Sequence, residues 1–115
     1  MQGALVRWFR ETYDALLIAI PNGDYRSWRT GAKLKREGVI AGTPDLLLAY
    51  SNDYAYGLFV ELKQTGNRPS EAQVDVMDQL RVAGYEAWWC DAYDDARDLF
   101  ERYMESEPID EGNIA

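Results

Sequence analysis

Two carboxylates and a lysine stand out in this chain because they break into strings of apolar residues. Asp45 heads the run Leu46-Leu47-Leu48, and Glu61 and Lys63 close the run Leu58-Phe59-Val60 with Leu62 between them. Burying charge without a partner or an ion is costly, so acids in such surroundings invite a ligand. Two acidic oxygens, a backbone carbonyl and water suit a hard cation, Mg²⁺ or Mn²⁺. A lysine beside them can orient an attacking water or stabilise charge on a phosphate. The composition removes the common alternatives. Histidine is absent, which excludes a Ser-His-Asp triad, a histidine general base and any His-containing zinc site. The single cysteine, Cys90 in Trp88-Trp89-Cys90, excludes an internal disulfide and a cysteine-cluster zinc site, and reads as a small buried hydrophobe.

The elements that must position these groups follow from periodicity. Leu5, Val6, Phe9 and Tyr13 recur at helical spacing over residues 2–14, while 16–20 is a short apolar run stopped by Pro21-Asn22-Gly23 and is assigned as a buried strand. Residues 24–37 are polar and basic, a loop and short helix ended by Gly38. Asp45–Tyr50 and Leu58–Lys63 read as an antiparallel pair joined by a loop. Ser70 with Gln73 three residues on is a capping-box signature, and Val74, Met77 and Leu80 form a stripe ending at Gly84. Tyr85–Cys90 is a strand, and Ala96, Leu99, Phe100 and Tyr103 mark a last amphipathic helix. With 115 residues, 47% of them apolar, this order predicts one α/β domain with a central mixed β-sheet flanked by helices.

Strand alternation places Glu61 and Lys63 on one face of the pair and Leu62 on the other. With the loop centred near Tyr54, Asp45 falls opposite Lys63 and diagonal to Glu61, roughly 7–8 Å away. That spacing lets two carboxylates grip one cation. An acid followed by Glu-x-Lys is also a common pattern on solvated strand faces. The apolar neighbours weigh toward the site.

Four blocks in order carry a family resemblance: Gly38-Val39-Ile40-Ala41-Gly42-Thr43-Pro44-Asp45-Leu46, then Gly57-Leu58-Phe59-Val60-Glu61-Leu62-Lys63, then Ser70-Glu71-Ala72-Gln73, then Gly84-Tyr85. Together they resemble the VRR-NUC (virus-type replication and repair nuclease) domain of the PD-(D/E)XK nuclease superfamily, over roughly residues 2–105. The resemblance implies a restriction-endonuclease-like core in residues 1–105, with 106–115 left as a flexible acidic C-terminal tail. It implies Mg²⁺ (or Mn²⁺) bound by Asp45, Glu61 and the backbone carbonyl of Leu62, with Lys63 as catalytic lysine and Gln73 beside the site. Gln73 serves equally well as the partner of Ser70 in the capping box. The activity implied is endonucleolytic hydrolysis of DNA phosphodiesters, on branched or structured DNA of Holliday-junction type, in replication, recombination or repair. Members of this kind resemble junction-resolving homodimers, virus or phage encoded. The family's glutamate on the first helix, next to a glutamine matching Gln2, has no counterpart here, and Glu11 lies more than two turns further along. That leaves a non-catalytic DNA-structure-binding module, or an acidic interaction protein, as alternatives.

A phosphodiester substrate gives the basic residues a role. Arg26, Arg29, Lys33, Lys35 and Arg36 cluster in one stretch and Arg68 follows the strand pair, so they are expected to contact the DNA backbone. Trp28, Tyr54 and Tyr56 could stack on bases or anchor their loops. The formal charge of −8 does not oppose this. Residues 1–74 carry 9 basic and 8 acidic side chains, and residues 75–115 carry 3 and 12, so the acidity belongs to the C-terminal part. DNA is expected on the face built by residues 26–45 and 61–73. No segment has the length and apolarity of a membrane span and no signal layout is seen, which predicts a cytoplasmic protein.

Overall fold

The computed structural model describes residues 1–21 and 28–110, with the backbone alone for 28–30. Eight elements follow in the expected order: α1 (Gln2–Thr12), β1 (Leu17–Ala19), α2 (Trp28–Arg36), β2 (Leu46–Leu48), β3 (Leu58–Leu62), α3 (Glu71–Val82), β4 (Glu86–Cys90) and α4 (Tyr93–Met104). The strands form one sheet in the order β1-β2-β3-β4, antiparallel across the first two pairs and parallel across the last. A parallel pair needs a crossover, and α3 supplies it between β3 and β4.

Alternation divides the sheet into two faces. Leu46, Leu48, Leu58, Val60 and Cys90 point to a core completed by Leu5 and Phe9 of α1 and by Ala96, Leu99, Phe100 and Tyr103 of α4. Cys90 is buried there, and burial pushes its thiol up to about 12, so it is a packing residue and not a nucleophile. On the opposite face Ala87 and Met77 of α3 are buried. The run at 16–20 forms a strand, but at the sheet edge, where β1 has a neighbour on one side alone. Leu17 is buried whereas Leu16 and Ile18 are exposed, because an edge strand covers one face.

Local chemistry fixes the ends of the helices that flank the site. α2 ends with the Gly38 N–H on the Lys35 carbonyl and the Val39 N–H on the Leu34 carbonyl, with Gly38 at φ +98°. This is a Schellman closure, which requires the left-handed conformation glycine adopts freely. α3 opens with the capping box read from the sequence: Ser70 Oγ accepts from the Gln73 N–H and Gln73 Oε1 from the Ser70 N–H.

The β2–β3 loop is held from a distance. Asn52 Oδ1 accepts from the N–H groups of Tyr54 and Ala55 while its Nδ2 donates to the Tyr103 carbonyl. The Tyr103 hydroxyl donates to the Tyr50 carbonyl at 2.6 Å, and its burial raises its ionisation to about 12. Residues 106–110 are tied back as well, with Ser106 Oγ accepting from the Asp53 N–H and Ile109 packed on the core.

Candidate active site

Asp45 and Glu61 meet at the end of the sheet away from that loop. The register pairs Leu46 with Val60 and Leu48 with Leu58, which sets Asp45 opposite Glu61 itself, two residues from the expected pairing with Lys63. A shift of two preserves every face, so Asp45, Glu61 and Lys63 still share one, and the carboxylates are closer than the diagonal arrangement gives. Asp45 Oδ2 accepts from the Leu62 N–H at 2.8 Å, and the Asp45 carbonyl accepts from the Ile20 N–H. The acid that precedes β2 is thereby fastened to both neighbouring strands.

Glu61 is 4% exposed and is the one charged side chain buried among the described residues. Its Oε2 accepts from Gln73 Nε2 at 3.0 Å and lies 3.4 Å from Lys63 Nζ. Its Oε1 is buried with no hydrogen-bond partner. Burial first, and then the adjacent Asp45 carboxylate, raise the Glu61 carboxyl above its ordinary value, while Lys63 opposes them. Two acids and one lysine leave the cluster short of positive charge, and the buried Oε1 makes no hydrogen bond.

Gln73 fills both roles the sequence left open. Its amide oxygen caps Ser70 and its amide nitrogen holds Glu61. The orientation is forced, since an N–H lies on one side and a carboxylate on the other.

These four residues line a cavity of about 710 Å³ together with Leu62 and with Gly31, Leu34, Lys35 and the segment Val39–Thr43. The side chain of Leu62 packs toward the core on the other face, so its contribution to the cavity is backbone. Among the described residues, no group of three or more His, Cys, Asp or Glu side chains comes together to hold a metal ion; the acidic donors here are two. Glu11 is exposed on α1 and lies outside this cavity.

The described basic residues differ in their surroundings. Lys35 lines the cavity of Asp45 and Glu61, while Lys33 reaches Glu37 at 3.8 Å on the exposed side of α2. Arg36 is exposed. Arg68 lines a separate cavity of about 580 Å³ between α3 and β4, with Trp88, Trp89 and Asp95. Arg26 lies outside the described residues, as do the side chains of Trp28 and Arg29. Tyr54 and Tyr56 sit in the loop at the other end of β2 and β3, and the Tyr56 ring lies over Gly84 and edge-on to Tyr85.

Reasoning from spacing missed how the segment before Asp45 is held. Gly42 has φ +88°, and a Cβ there would stand 2.7 Å from the backbone carbon and oxygen of Ala72. Its backbone is therefore pressed against the first turn of α3, which no other residue allows. The available signal was a glycine three positions before an acid that begins a strand.

A mixed sheet flanked by helices, with acids at the head of one strand and the tail of the next, is a restriction-endonuclease-like core of the PD-(D/E)XK kind. The model of the VRR-NUC domain matches residues 4–94, and the chain belongs to that family. A solved structure described as a VRR_NUC domain protein superposes with a TM-score of 0.81 over 95% of this chain and 88% of its own, at 23% identity. That likeness establishes the shared fold. No curated protein matches the chain. Among the described residues, no helix is long and apolar enough to cross a membrane.

Proposed function

We propose that this chain is a metal-dependent DNA endonuclease that hydrolyses phosphodiester bonds in branched or structured DNA, acting as a homodimer. The observation that carries the reading is the orphan Oε1 of Glu61, buried beside a second carboxylate with Lys63 and Gln73 confined to Oε2. The donor set fits a hard cation, because two carboxylates, a backbone carbonyl and water are the oxygen ligands Mg²⁺ and Mn²⁺ prefer. Asp45, Glu61 and the Leu62 backbone would hold it. When bound, such an ion lowers the pKa of a coordinated water and polarises a phosphoryl oxygen.

The remaining work falls to the chain's own side chains. The Leu62 N–H fixes one oxygen of Asp45 and Gln73 fixes one of Glu61, so each carboxylate arrives pre-oriented. Lys63, partly buried and 3.4 Å from Glu61 Oε2, lines the same cavity, where it stabilises charge developing on the phosphoryl oxygens of a bound phosphodiester. Lys35 at the rim supplies an attraction for the backbone on either side of the scissile bond. A two-fold dimer presents two such sites to the two strands of a junction.

The test is cleavage of a four-way DNA junction in Mg²⁺ or Mn²⁺ by the wild type, Asp45→Asn and Lys63→Ala. Wild-type cleavage abolished in both variants is the expected result. No cleavage of any DNA with either ion refutes the enzyme, and full activity in Asp45→Asn refutes the ligand assignment.

A further inference from the structure

Two of the residues that line the cavity around Asp45 and Glu61 are apolar and exposed. Val39 and Ile40 are 48% and 58% exposed and line the same cavity as Asp45, Glu61, Lys63 and Gln73. Neither side chain is among those packed on the hydrophobic core. Nor do they hang on a slack loop. The Val39 N–H is bonded to the Leu34 carbonyl, the Ile40 carbonyl accepts from Thr43 Oγ1 at 2.8 Å, and Gly42 is seated on α3. The segment holds its two side chains in a set position from both ends.

We propose that Val39 and Ile40 form a lip that receives the face of an unpaired nucleotide next to the scissile phosphate, and so select DNA with a single-stranded arm over continuous duplex. The inference rests on the nuclease reading of the cavity and names the substrate feature it prefers. A ligand that satisfies the whole cavity must carry a phosphate for the floor and for Lys35 and Lys63, and an apolar flat surface for the lip within one nucleotide's reach. In a continuous duplex the base faces are covered by their neighbours, and only the backbone and the base edges in the grooves are presented. An unstacked nucleotide at a branch or splayed end exposes a base face and sugar, and apolar side chains of this kind pack against such surfaces. Lys35 serves both kinds of DNA equally because it contacts phosphate.

The test measures binding, in Ca²⁺, of a fully paired DNA duplex and of the same duplex bearing a short unpaired arm. The proteins are the wild type, Val39→Ser/Ile40→Ser and Lys35→Ala. The wild type is expected to bind the armed probe roughly tenfold more tightly, a difference of about 1.4 kcal/mol. The double variant, whose altered side chains are exposed, is expected to keep its melting temperature and its affinity for duplex while losing that preference; Lys35→Ala weakens both probes alike. Equal wild-type affinities, or a double variant that weakens both probes equally, overturn the lip. So does a double variant that changes sedimentation with no difference between probes, which would assign the lip to a second copy of the chain. Cleavage in Mn²⁺, measured in parallel, separates the two readings. Preference without cleavage keeps the lip and removes the hydrolase, and cleavage without preference does the reverse.

Discussion

Replacing Gln73 by glutamate separates its two roles, because the capping box accepts either residue at this position but Glu61 accepts from the amide alone. In Gln73→Glu the α3 cap is expected to survive, while the donor 3.0 Å from Glu61 Oε2 becomes an acceptor. A hydrogen bond to a charged group, about 1.5–3 kcal/mol, is lost. Two carboxylates at that spacing repel by about 5 kcal/mol at an effective dielectric constant of about 20. Movement of the new side chain toward the cavity and uptake of a proton both relieve the strain, so the net loss expected in metal-free protein near pH 8 is about 3 kcal/mol. For a domain of this size that lowers the melting temperature by roughly 10–15 °C. Near pH 5.5 the loss is expected to be smaller than near pH 8, since burial and crowding favour the protonated form of Glu61, and Mn²⁺ restores stability near pH 8 by filling the acidic cluster. Gln73→Ala is the control: it loses cap and clamp together, with a weaker pH dependence. The assay is thermal unfolding followed by circular dichroism at both pH values, with and without Mn²⁺. A Gln73→Glu protein that melts with the wild type near pH 8 in the absence of metal refutes the reasoning.

Three further outcomes are expected. Glu61 binds its proton more tightly folded than unfolded, so the stability it contributes in metal-free protein is complete below about pH 4.5 and is lost as pH rises through its raised folded value; the difference in melting temperature between Glu61→Gln and wild type should widen with pH, and parallel curves refute the shift. Gly42→Ala and Gly38→Ala both place a side chain on left-handed backbone, at φ +88° and +98°, for about 1–2 kcal/mol each. Gly42→Ala alone also meets Ala72, so calorimetry should show loss of Mn²⁺ affinity for Gly42→Ala and not for Gly38→Ala; equal effects contradict the seating of the loop on α3. Tyr103→Phe leaves the Tyr50 carbonyl without its hydroxyl donor and should lower urea stability by about 0.5–1.5 kcal/mol while leaving Mn²⁺ affinity unchanged.

The element order, the mixed sheet and the shared face of Asp45, Glu61 and Lys63 were legible because they depend on local periodicity and on an alternation that survives a two-residue slip. The register was not. It depends on where the β2–β3 loop stops, and Asn52 and Tyr103 set that from positions 51 apart in the chain. The surroundings of Arg68 were not legible for a related reason. Arg68 follows Lys63 closely in sequence, yet the turn into α3 carries it to the cavity beside β4. The buried edge run at 16–20 was half right, since an apolar string does not say how many of its faces will be covered. Gln73 was legible in both of its possible roles because the first turn of a helix that follows a strand brings its third residue back over the strand's end.

The bond from the Leu62 amide to Asp45 leaves one more trace. β3 is an interior strand, bonded on both sides, so its amide protons should be among the last to exchange with heavy water. Leu62 is different, because its partner is a side-chain oxygen belonging to one of the two acids at the centre of the site. Its exchange rate and its amide chemical shift therefore follow the state of the Asp45 carboxylate, while those of its neighbours follow the sheet. Under the proposed function, a single backbone resonance of this chain would gauge the arrival of the cation, readable without substrate, turnover or label at the site.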